Sequence, residues 1–199
     1  MLRWQTVAVA YALLGSLAFA LAAVAHHGSP FSHPNPWLAL DPAVRWSTSI
    51  VAGLVLALVL VSSTRLAVRR WKWAQKLHAD LRPVARNLGA STVIAVAVLS
   101  GVGEELFFRG FLVPLVGVVV QAAIFGLLHQ VRGPSRWVWV GWATLVGLCF
   151  GLVFALTGSL VGPIIAHVLV NGYNLTFLRD HDPTPRSRLG GLLAPSDLS

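Results

Sequence analysis

Six runs of apolar residues dominate the chain, at roughly 5–25, 46–64, 88–111, 116–131, 137–157 and 160–178. About 17 to 25 helical residues cross a hydrocarbon core of about 30 Å, so the runs predict an all-α, multi-pass transmembrane helical bundle of about six spans. The composition agrees. Of the 199 residues 56% are hydrophobic and 11% charged, with mean hydropathy +0.72, against roughly 45 to 50% apolar in a soluble domain. One cysteine, Cys149, excludes a disulfide framework and any multi-Cys zinc site.

In a soluble chain the net charge of +8 would point to nucleic acid, but its placement points to a lipid bilayer. Seven of the fifteen Lys and Arg fall between Arg65 and Arg86, marking a cytoplasmic loop. Counting spans from that loop puts both termini in the cytoplasm, with Arg3, Arg132, Arg136, Arg179, Arg186 and Arg188 on the same side and His26 to Arg45 on the other. Arg3 followed by an apolar run ending in Ala23-Val24-Ala25 also fits a signal peptide, although the run is long for the 7 to 15 residues of an h-region. Within the basic loop Trp73, Leu77 and Leu81 recur at helical spacing, which predicts an interfacial helix ended by Pro83. Trp137, Trp139 and Trp142 open the fifth span as interfacial residues, and Gly147 and Gly151 permit close helix packing. Ser159 reads as a turn residue. The chain divides into two N-terminal spans with the basic loop (1–87), a membrane core (88–178) and a loose tail (179–199).

The chain has two glutamates, and they are adjacent: Glu104 and Glu105, in Gly103-Glu104-Glu105-Leu106-Phe107-Phe108-Arg109. A charge near a helix centre costs about 2.5 to 3.5 kcal/mol on an insertion scale, against about 0.3 to 0.6 gained per Leu or Phe. Glu105 and Arg109 are four apart in the favourable order, which predicts a structural ion pair. Glu104 lies about 100° around the helix from Glu105 and lacks an evident local partner, so it is a functional candidate facing the bundle interior or a wet cavity. His129, and the pair His167 and Asn171 on one helix face, interrupt other apolar runs. Singly, each reads as a packing residue; a carboxylate, two histidines and an amide on three spans read as a site.

The depths allow this. With Pro114 and Gly117 in an extracytoplasmic turn at 112–117, Glu104 lies about 12 Å before that turn, His129 about 18 Å after it, and His167 about 10 Å into the last span. These figures leave open which membrane face the site opens to.

Glu104-Glu105-x-x-x-Arg109, Phe125-x-x-x-His129 and His167-x-x-x-Asn171 together resemble the three motifs of the CPBP (Abi) family of intramembrane endopeptidases, which includes type II CAAX prenyl proteases and bacteriocin-immunity relatives. The similarity covers roughly residues 88–178. It implies that Glu104 and His129 activate a water for attack on a peptide carbonyl, with His167 and Asn171 stabilising the oxyanion. The side chains suit these tasks: a carboxylate accepts a proton, an imidazole relays one, and an amide NH₂ donates to an oxyanion. The resemblance also admits zinc held by Glu104, His129 and His167. A metal-free glutamic mechanism ranks first, because Gln130 and Gly133 after His129 leave no HExxH helix. The substrate expected is a membrane protein or lipidated peptide, and the location an integral one, in a bacterial inner membrane. The alternative is a non-enzymatic scaffold or proton-linked carrier using the same polar groups; a carrier would show an internal repeat, and none is evident.

Overall fold

A computed structural model describes residues 4–26 and 28–183; Arg3, Arg186, Arg188 and the tail beyond 183 lie outside them. The described chain is helical: α1 Trp4–His26, α2 Pro42–Arg70, α3 Lys72–Ala85, α4 Ala90–Glu104, a π-helical segment Glu105–Leu112, α5 Val113–Leu128, α6 Arg136–Thr157 and α7 Val161–Asp180.

Among the described residues, five continuous helical stretches are long and apolar enough to cross a membrane. The longest, Ala90–Leu128, has 39 residues and would measure about 58 Å if straight, nearly twice the core thickness. It is folded back on itself. Phe108 and Phe125, which a straight helix would separate by about 25 Å, have ring centroids 4.8 Å apart. The reversal falls at Gly117, whose φ of 80° and ψ of 166° break the helix. Only glycine adopts such angles readily, and a Cβ there would meet nothing within 4 Å, so conformation rather than crowding sets the residue type. The stretch therefore forms two antiparallel arms on either side of Gly117, within the multi-pass helical bundle expected from the apolar runs.

Helix α7 packs between α2 and α4, α5 pairs with α6, and α1 lies against α4 and the π-helical segment. Small residues set the close approaches. Ser49 donates from Oγ to the Ser159 carbonyl (2.9 Å) and accepts from the Gly162 N–H (3.0 Å), tying α2 to the α6–α7 turn. A Cβ on Gly147 would stand 3.1 Å from Phe125 Cδ1, and one on Gly151 would stand 2.8 Å from Val118 Cγ1. The glycine pair is thus a packing face for α5.

The two ends of the bundle are closed differently. The α1–α2 connector folds over the α6–α7 turn: the Trp37 N–H donates to Ala155 O (2.8 Å), His33 N–H to Gly158 O (3.0 Å) and Leu160 N–H to Phe31 O (3.0 Å). At the other end lies α3, the amphipathic helix expected in the basic loop. Its Leu77 and Ala74 are buried, while Trp73 is half exposed and stacks on Trp71. Pro83 does not end it. The helix runs to Ala85, because a proline in the last turn removes a single donor and the Arg86 N–H still closes that turn on Arg82 O at 2.9 Å.

Three contacts fasten α3 to the bundle. His78 Nε2 donates to His181 O (2.9 Å), Ser135 Oγ donates to Asp80 (2.6 Å), and Arg82 pairs with Asp182 (3.1 Å). Burial pushes the His78 imidazole below its ordinary value; the hydrogen bond to His181 O and Asp182 oppose this, and His181 and Arg82 add to it. A depressed histidine contributes docking stability that is full above its unfolded value, about 6.5, and is lost as pH falls below that toward the folded value. Amide exchange in α3 should therefore accelerate relative to α6 as pH falls below about 6.5. The His78→Gln variant, whose amide can still donate to His181 O, should lose that pH dependence. An α3-to-α6 exchange ratio that does not change with pH in the parent chain would remove His78 from the docking.

Candidate active site

The π-helical segment places the two carboxylates. Glu104 and Glu105 keep α-helical backbone angles, φ −71° ψ −39° and φ −65° ψ −40°, at the junction where α4 passes into i→i+5 bonding. Glu104, the last residue of α4, and Glu105, the first of the segment, are both buried. Both face His167 of α7. Glu105 Oε1 lies 2.7 Å from His167 Nδ1, and Glu104 Oε2 lies 3.8 Å from His167 Nε2. The two glutamates, expected on different faces of the helix, address the two nitrogens of one ring, Glu104 from the cavity wall and Glu105 from beside Arg109.

Glu105 and Arg109 form the expected ion pair, with Nη1 donating to Oε1 at 2.7 Å and both side chains fully buried. Arg109 Nη2 also donates to Gly147 O on α6 (3.2 Å), and the guanidinium lies 4.5 Å from the Phe125 ring centroid and 5.2 Å from that of Phe150. Aromatic faces attract a cation most strongly where water is absent. Glu105 thus holds both Arg109 and His167.

His129 follows the last residue of α5. Its Nδ1 lies 2.7 Å from Phe125 O, and since a carbonyl only accepts, Nδ1 carries the proton. Nε2 then points to Glu104 Oε2 at 3.5 Å. Asn171, one turn after His167, donates from Nδ2 to Ser100 Oγ at 2.9 Å. All four expected residues line one cavity of about 240 Å³, which also reaches Tyr11 on α1, Leu81 and Val84 on α3, and Leu178 at the end of α7. The α3 lining shows which end of the bundle the cavity approaches, a point that residue depths left open.

Ser100 and Tyr11 are among the lining residues that the sequence alone did not single out. Ser100 stands one turn before Glu104, a spacing that could have disclosed it. Tyr11, which lines the cavity with Glu104, sits in an ordinary apolar run and carries no local signal.

The two Nε2 atoms and the Glu104 carboxylate are zinc-ligand types, and each ring has its other nitrogen engaged as ligating histidines do. Among the described residues, however, no group of three His, Cys, Asp or Glu side chains is arranged to hold a metal ion.

Fold and site together define a multi-pass integral membrane protein whose interior carries an acid–imidazole cluster facing a cavity. Residues 86–173, which contain every cluster residue except Tyr11, match the family of type II CAAX prenyl endopeptidase Rce1-like proteins. The chain is also 26% identical over 122 residues to the uncharacterized protein YpbD of Bacillus subtilis (strain 168), a similarity that covers 60% of this chain and 63% of that protein. No solved structure gives a significant match.

Proposed function

We propose that the protein is an intramembrane endopeptidase that hydrolyses a peptide bond in a membrane-anchored or hydrophobic protein, using water activated by Glu104 and His129. The observation that carries this reading is the convergence of His129 Nε2 (3.5 Å) and His167 Nε2 (3.8 Å) on Glu104 Oε2 at the wall of a cavity, within the segment that matches an endopeptidase family. Glu104 Oε2 makes no hydrogen bond to another protein group and is free to accept one from water.

In the first step Glu104 removes a proton from water as its oxygen attacks the scissile carbonyl carbon, and His129 orients that water. The carbonyl π electrons move to oxygen. His167 and Asn171 then donate to the oxyanion. Asn171 has a second N–H beyond the one given to Ser100. For His167 to donate from Nε2 while Nδ1 donates to Glu105, its ring carries both protons, a charge that Glu105 offsets at 2.7 Å. Collapse of the intermediate breaks the C–N bond, and the proton taken by Glu104 passes to the leaving amine.

The purified protein in lipid bilayers should cleave members of a library of membrane-anchored peptides, read by mass spectrometry, with one ¹⁸O incorporated per new carboxyl terminus from labelled water. Elemental analysis of the active preparation should find substoichiometric zinc, and chelators should leave the rate unchanged. One zinc per chain, with chelation abolishing the rate and zinc restoring it, would transfer water activation to a metal. No cleavage of any library member would favour the scaffold or carrier.

A further inference from the structure

The first helix lies outside the segment that matches the endopeptidase family, yet it reaches the cavity. Its approach is permitted by the glycine that precedes Glu104: a Cβ on Gly103 would stand 2.8 Å from Tyr11 O and 3.4 Å from Tyr11 Cβ. One turn further along α1, Gly15 faces the same contact, where a Cβ would be 3.4 Å from Leu106 Cδ1 and 3.7 Å from Gly103 Cα. Two glycines, one on each helix, therefore allow the backbones to meet beside Glu104. Tyr11 is placed at that crossing with its side chain lining the same cavity as Glu104, His129 and Asn171.

A carboxylate can rotate about its last torsion with little restraint. Glu105 is fixed by Arg109 and His167 at 2.7 Å each, whereas the nearest imidazole nitrogens stand 3.5 and 3.8 Å from Glu104 Oε2. From the meeting of α1 and α4 at Gly103 and the shared cavity wall, we infer that Tyr11 is a positioning residue, whose phenol fixes the Glu104 carboxylate toward the cavity and makes α1 part of the active centre. Its effect on turnover rests on the proposed endopeptidase reading; its place on the cavity wall beside Glu104 does not.

The test uses the full chain in lipid bilayers. The infrared carboxylate bands of Glu104 are assigned by their loss in Glu104→Gln, and then followed in Tyr11→Phe, which removes the hydroxyl and keeps the ring. The bands should shift in Tyr11→Phe. On a peptide cleaved by the parent chain, kcat should fall about tenfold or more, as for a misplaced catalytic group, with KM and Tm unchanged. Should Tyr11→Phe fold poorly, Gly103→Ala, which forces the helices apart at the same contact, should shift the same bands. Unmoved bands, or full kcat in folded Tyr11→Phe, would overturn the inference. Shifted bands in a chain that cleaves no peptide would sustain the Tyr11 contact while rejecting the protease.

Discussion

The Glu104→Gln variant should insert and fold like the parent chain and lose turnover by about 10²- to 10⁴-fold, the usual contribution of a positioned base. The amide keeps the volume of the carboxylate and can still face the two imidazoles, so packing around the residue survives. What disappears is the capacity to take a proton from water at this pH. Tm and the α3 exchange pattern should therefore match the parent, and the loss should fall on kcat. Full turnover in a folded Glu104→Gln preparation would remove this residue from the chemistry, and with it the proposed mechanism.

The second large effect should come from Arg109, and it should be one of stability. Arg109 and Glu105 are both wholly inaccessible, and truncating one member of a buried pair costs about 3 to 5 kcal/mol because the other charge is left without compensation. Arg109→Ala should accordingly lower Tm by about 10 °C in a chain of this size, and reduce folded yield. Arg109→Lys should rescue only partly, since the parent guanidinium serves Glu105 through Nη1 and the Gly147 carbonyl through Nη2, a division that a single ammonium on a thinner stem does not reproduce. Glu105→Gln should combine both kinds of loss, because the same carboxylate also restrains His167. A melting curve on each variant separates these cases. Unaltered Tm in Arg109→Ala would mean that the pair is not what holds the π-helical segment against α6.

How much of this was legible beforehand follows from where the free energy is concentrated. The passes could be read because about twenty apolar residues in a row serve few purposes other than crossing lipid. The cluster could be read because each ionisable group inside such a run is costly enough to require a reason, and Glu105 with Arg109 displayed its reason in the spacing. The rest depends on contacts between distant parts of the chain. The joint approach of Glu104 and Glu105 to His167 depends on how α7 packs against α4, which no local spacing displays. Tyr11 looks like any aromatic in a membrane helix until Gly103 is seen to admit it. Pro83 was misjudged because a proline costs little in a final turn, where few intrahelical donors remain to be lost.

The fold-back at Gly117 also determines where this sequence can change length. Both arms of the hairpin are measured from one pivot, with the carboxylates on one arm and His129 on the other. Inserting a single residue between Gly117 and His129 would turn the imidazole by about 100° and slide it about 1.5 Å along the helix, away from a carboxylate it now faces at 3.5 Å. The same insertion would unseat Phe125 from Phe108 and from the Arg109 guanidinium. Between the first carboxylate and the first histidine, the number of residues is therefore as constrained as their identity. Residue exchanges can be absorbed on the lipid-facing sides of this hairpin, but gains and losses of length cannot.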